Sequence, residues 1–175
     1  MKEIFKILLI TLLLFLSIDF LFGKKIIKSL ESNNVFFSFD FFLKENIKNE
    51  KKFRIKNKYF SHSLRENYKG KSYFGTEMGS ICTDKYGFKT NCKNIDNTNE
   101  FDYIFLGDSV IEGVGSNYEN SFVGIFENST NLKVANLAVS GYSPIIHYHK
   151  LKFFLNNGIK TDHVIIYLDV SDVND

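Results

Sequence analysis

Several protein classes are excluded by what the chain lacks. Its 22 basic and 20 acidic residues leave a formal charge of only +2, and the lysines are scattered, so no basic face is available for nucleic acid. Cysteine occurs only at Cys82 and Cys92, and two such residues do not make a zinc site. No internal repeat and no long low-complexity tract is visible, which removes solenoids and linkers. Tryptophan is absent and Pro144 is the single proline, in a background rich in Lys, Asn, Ile and Phe. That composition reflects coding bias and carries little chemistry. What remains is a hydrophobic share of 44% in 175 residues, enough for one ordinary domain with appendages.

The longest apolar run is "IFKILLITLLLFLSIDFLFG", Ile4 to Gly23. A bilayer-spanning helix takes about 20 mainly apolar residues, and no polar face interrupts the stretch from Ile7 to Leu16. Leu21-Phe22-Gly23 is a poor match to the small-x-small site at which a signal peptide is cut. The expectation is a transmembrane anchor or signal segment over 1–23, with the uncleaved anchor favoured. A juxtamembrane and accessory region follows over 24–99, and a further domain over 100–175. Lysines on both sides of the run leave its orientation open. Within 24–99, short strands and loops are expected from Phe53 to Asn99, punctuated by Gly70, Gly75, Gly79 and Gly87. Cys82 and Cys92 bracket "TDKYGFKTN", where a turn at Gly87 brings them near each other. Either a local disulfide or two separate thiols fits that spacing.

The pattern changes at Phe101. Three apolar runs, "FDYIFLG" (101–107), "LKVANLA" (132–138) and "HVIIYLDV" (163–170), read as strands. "NSFVGIFENS" and "SPIIHYHKLKFFLNNG" between them carry apolar residues close to helical spacing, with Gly158 placed as a stop. Strand, helix, strand, helix, strand predicts an α/β fold: a parallel sheet in three layers with right-handed crossovers. Ligands bind at the carboxyl ends of the strands in such sheets. Gly107-Asp108-Ser109, Ser140-Gly141 and Asp172-Val173-Asn174-Asp175 all fall just beyond those ends.

These residue types suit acyl transfer. Gly107 permits a tight turn, and Ser109 follows it near the start of a helix or turn, where backbone N–H groups favour negative charge. A serine nucleophile needs its tetrahedral oxyanion held by donors. Gly141 lacks a side chain that would block its N–H, and the Asn174 amide is a neutral donor. "FLGDSVIEGVGSNYENSF", "LKVANLAVSGYSP" and "DHVIIYLDVSDVND" together resemble the first three blocks of the SGNH (GDSL-type) hydrolase superfamily. The likeness runs from about Phe101 to the last residue. It implies a flavodoxin-like sheet, Ser109 as nucleophile, and an oxyanion hole of the Ser109 N–H, the Gly141 N–H and the Asn174 side chain. It further implies an ester of a cell-envelope glycan or lipid as substrate, transfer to water or a sugar hydroxyl, and no cofactor or metal. With the cysteine pair, it favours a body on the periplasmic or extracellular side of the anchor.

Two departures stand out. Asp172 occupies the place where the superfamily has glycine, and its Asp-x-x-His block has no counterpart before Asp175. The expectation is therefore the first three strands of such a domain, without the base. His163 opens its strand at the far edge, and His147 and His149 lie in the second crossover helix; His62 lies in the middle region and could in principle reach the site, but no histidine is expected to serve as the base. Glu112 reads as a solvated helix-start residue. The cluster Asp169, Asp172 and Asp175 lacks the spacing of a calcium loop. The alternative function is a non-catalytic protein that holds an acylated glycan in the same crevice.

Overall fold

The computed structural model describes residues 6, 7, 9–12, 17, 47–74 and 77–168. The chain divides into Met1–Lys44 and Glu45–Asp175. In the first unit the described residues are helical, and Thr11 Oγ1 donates to the Ile7 C=O at 2.9 Å. A span takes about 20 apolar residues in one helix. Among the described residues no helix is long and apolar enough to cross a membrane. This overturns the expected anchor over 1–23 and the membrane-anchored placement built on it. The remainder of that stretch lies outside the described residues.

The second unit opens with helical residues 47–53, which lead into β1 (Arg54–Lys56). β1 pairs antiparallel with β2 (His62–Leu64) in a small separate sheet. β3 (Lys69–Phe74), β4 (Glu77–Thr83) and β5 (Lys89–Thr90) then form an antiparallel run. β6 (Glu100–Leu106), β7 (Val134–Asn136) and β8 (Lys160–Ile166) are parallel, with β6 in the middle. The two runs join through an antiparallel pair, Lys89 opposite Asn136, to give a six-stranded sheet ordered β3-β4-β5-β7-β6-β8. The expected all-parallel three-layer sheet is therefore wrong: the sheet is mixed. The cause is residues 69–90, whose hairpin strands extend the sheet beyond β7. Cys82 on β4 and Cys92 just past β5 are disulfide-bonded and tie that run together.

Alternation along β6 decides where the crossover helices go. Ile104 and Leu106 face one core with Phe101, Leu137, Val139 and Phe154, while Phe105 faces a second with Ile111, Val123 and Ala138. α1 (Ser109–Glu112) and α2 (Phe122–Thr130) follow β6, and α3 (Pro144–Asn156) follows β7. Val123 puts α2 on the Phe105 face, and Phe154 puts α3 on the Ile104 face. One crossover steps from β6 to β7 and the next steps back from β7 past β6 to β8, and two crossovers of one hand that step in opposite directions must use opposite faces, as these do. Ser121 caps α2 by accepting from the Gly124 N–H at 3.2 Å. Pro144 begins α3, where its missing N–H costs nothing.

Candidate active site

The loops that leave β6 and β7 start side by side. Val139 N–H donates to the Gly107 C=O at 3.2 Å, and Tyr167 N–H, just past β8, donates to the Leu106 C=O at 2.9 Å. Gly107 is needed for close packing, since a Cβ there would lie 2.6 Å from Ile111 Cγ1. Ser109 begins the four-residue α1; Asp108 caps it by accepting the Val110 N–H at 3.0 Å. Gly113 ends the turn in the left-handed region at φ 68°. Ser109 is half-buried and lines an open depression of about 190 Å³ with Val110, Gly113, Val114 and Ser116. Gly141 does not line that depression. It is exposed, has φ +79°, and a Cβ built on it meets nothing within 4 Å, so the space where a side chain would stand is open. Among the described residues neither the Ser109 N–H nor the Gly141 N–H has an acceptor.

What joins the two loops is Glu112. Its side chain is fully buried, contrary to the solvated position expected for it. The carboxylate accepts two parallel bonds from Arg54, Nη2 to Oε1 at 2.8 Å and Nη1 to Oε2 at 2.9 Å. Oε2 also accepts the Ser140 N–H at 2.6 Å. One residue of α1, three past Ser109, thus holds the residue next to Gly141. The hairpin of β1 and β2 supports the same loop from a second side. His62 Nε2 lies 2.9 Å from the Ser140 carbonyl oxygen, and the Tyr142 hydroxyl donates to the His62 C=O.

Two buried lysines complete the surroundings. Lys89 Nζ donates to the Gly113 C=O at 2.5 Å and the Ser116 C=O at 3.1 Å, fixing the turn after α1. Lys150 Nζ donates to the Leu137 C=O at 2.8 Å and sits 5.0 Å from the Tyr142 ring centre. Burial pushes Lys89 down to about 8 and Lys150 down to about 7, with Glu112 opposing both shifts. For Arg54, burial opposes the charge, but Glu112 and then Glu50 outweigh it and hold the guanidinium above its usual range. Arg54 also pairs through Nε with Glu50 at 3.2 Å, so the buried carboxylate of Glu112 and the half-exposed one of Glu50 together hold the guanidinium, with Lys89 and Lys150 buried nearby.

Of the expected oxyanion donors, the structure sets Ser109 and Gly141 on neighbouring, cross-linked loops. Asn174, with Asp172, lies outside the described residues. Among the described residues no histidine hydrogen-bonds Ser109 Oγ. His163 stacks on Tyr103 at 4.8 Å, His149 packs edge-on to Tyr148, and His147 is buried 5.7 Å from the Tyr142 ring. A larger cavity of about 360 Å³ is lined by Asp84, Asn94, Asp96, Glu127 and Lys133, and none of the expected site residues borders it. Among the described residues no group of His, Cys, Asp and Glu is placed to hold a metal ion. Sequence reasoning missed Arg54, Lys89 and Lys150, and it placed Glu112 in solvent. One signal was present: Arg54 is one of two arginines among 22 basic residues. In a lysine-biased chain, a retained arginine marks a need for a planar, bidentate donor. No protein-family model and no curated protein sequence matches the chain.

Proposed function

We propose that the chain carries the nucleophile and oxyanion donors of a serine-dependent acyl-ester hydrolase or O-acyltransferase, resembling the SGNH superfamily. Ser109 Oγ attacks the carbonyl carbon of an O-acylated carbohydrate or a lipid ester. The Ser109 and Gly141 N–H groups receive the oxyanion, with the Asn174 amide as third donor. Collapse breaks the ester C–O bond, the alkoxide leaves as the alcohol with the proton given up by Ser109 Oγ, and the acyl-serine passes its acyl group to water or a sugar hydroxyl, whose proton returns to Ser109. The observation that carries this reading is a pair of N–H groups, without an acceptor among the described residues, on adjacent strand-end loops cross-linked by the Glu112 bond to Ser140 at 2.6 Å. Each well-placed oxyanion donor is worth about 3–4 kcal/mol in the transition state.

A p-nitrophenyl alkylphosphonate tests it. Ser109 Oγ displaces p-nitrophenolate, and intact mass spectrometry reads the adduct. One adduct on the native protein and none on Ser109→Ala is the expected result. The second reading, a glycan-binding protein that holds an acylated sugar without cleaving it, is favoured by one observation: among the described residues no histidine meets Ser109 Oγ. Saturable binding of an O-acetylated oligosaccharide with no adduct at Ser109 would select it.

A further inference from the structure

An oxyanion donor works only if its N–H is aimed before the reaction begins. The direction of the Gly141 N–H is set by the Ser140–Gly141 peptide, a planar trans unit in which C=O and N–H point opposite ways. Whatever holds the Ser140 carbonyl therefore aims the Gly141 N–H. That carbonyl is met by His62 Nε2 at 2.9 Å, from a strand 78 residues earlier. A carbonyl oxygen can only accept, so Nε2 carries the proton, and Nδ1 faces Ser61 Oγ at 3.1 Å. The imidazole is itself held edge-on by Tyr142 at 5.0 Å, whose hydroxyl bonds the His62 main chain. The opposite end of Ser140, its N–H, is fixed by Glu112 and through it by Arg54. Both polar groups of one residue are thus pinned by side chains that depend on the β1–β2 hairpin.

The geometry points to His62 as a positioning residue for acyl transfer: its bond to the Ser140 carbonyl holds the Ser140–Gly141 peptide so that the Gly141 N–H points away from the hairpin. This rests on the reading of Ser109 and Gly141 given above. His62 touches no reacting atom. With Nε2 committed to the carbonyl, it is a donor to the loop and not the base for Ser109. The upstream hairpin thereby becomes part of the catalytic apparatus.

The test compares His62→Gln, whose amide reaches as far as Nε2, with His62→Leu, which keeps bulk but has no donor. His62→Asn is polar but too short to reach Ser140, and it is read alongside them in case the leucine variant does not fold. Each is treated with the p-nitrophenyl phosphonate, and the rate is split into reagent binding and bond formation. The expected result is a loss of about tenfold to a hundredfold in bond formation for Leu and Asn, with binding unchanged and Gln within about threefold of native; complete loss of one donor costs 10²–10³. The Gly141 amide resonance should move in Leu and Asn and stay in Gln. Native labelling with equal rates in all variants would overturn the role of His62 and leave Ser109 as nucleophile. No labelling of the native protein would instead remove the acyl-transfer reading, and this role with it.

Discussion

Replacing Glu112 with leucine is the perturbation for which the structure gives the largest stability effect. The carboxylate is fully buried and accepts three hydrogen bonds, at 2.8 and 2.9 Å from Arg54 and at 2.6 Å from the Ser140 N–H. Only 13% of the Arg54 side chain is exposed, so its charge cannot regain its hydration in place, and the half-exposed Glu50 at 3.2 Å from Nε compensates it only in part. Deleting one partner of a buried ion pair costs about 3–5 kcal/mol. A backbone N–H left without an acceptor costs about 1–3 kcal/mol. Both losses fall on one carboxylate and are not independent, so about 5 kcal/mol is the expected total. That is a large part of the 5–15 kcal/mol typical of a folded domain. Adding Arg54→Met removes the stranded charge as well, and replacing a whole buried pair by apolar groups is close to neutral. The double variant should therefore recover about 2–3 kcal/mol, leaving mainly the cost of the Ser140 N–H. Urea denaturation followed by far-UV circular dichroism on the native, single and double variants measures this. A double variant no more stable than Glu112→Leu alone would refute the coupling of hairpin to α1.

Two further predictions concern the framework. Lys150 and Lys89 titrate at about 7 and about 8 in the folded protein against 10.5 for an ordinary lysine, so over that interval the unfolded chain binds more protons. Stability should then rise with pH from about 7 toward 10, and Lys150→Met should flatten the rise in urea midpoint; a midpoint that falls over this range in the native protein would contradict the burial of both groups. Cys82 and Cys92 are separated by 10 residues, and closing a loop of that size in the unfolded chain is worth about 3 kcal/mol, so reduction should lower the melting temperature by several degrees. An unchanged melting temperature with dithiothreitol would show that the bond does not constrain the unfolded chain.

Parts of this molecule were legible in the sequence because they are long and periodic. β6 is a compact apolar run ended by Gly107, and α2 and α3 carry apolar residues at helical spacing with Gly158 as a stop, so their positions followed from local pattern. The antiparallel extension was not legible in the same way. β5 has two residues and joins β7 through one pair, Lys89 with Asn136, and nothing local in a two-residue strand announces a partner so distant in sequence. The membrane anchor was inferred from composition alone, and among the described residues no helix is long and apolar enough to cross a membrane. At the site, Ser109 and Gly141 were visible as small residues just past strand ends. Glu112 was misjudged because charged side chains are mostly exposed, a tendency overridden when a bidentate arginine supplies a partner, and the bond of His62 to the Ser140 carbonyl had no local signal across 78 residues.

The central claim is that the N–H groups of Ser109 and Gly141 serve one oxygen atom. A crystal structure of the protein phosphonylated at Ser109 tests it directly. The account predicts the phosphoryl oxygen within about 2.7–3.1 Å of both nitrogens, the separation an oxyanion hole requires. A phosphoryl oxygen turned to solvent, with Gly141 N–H unengaged, would contradict it.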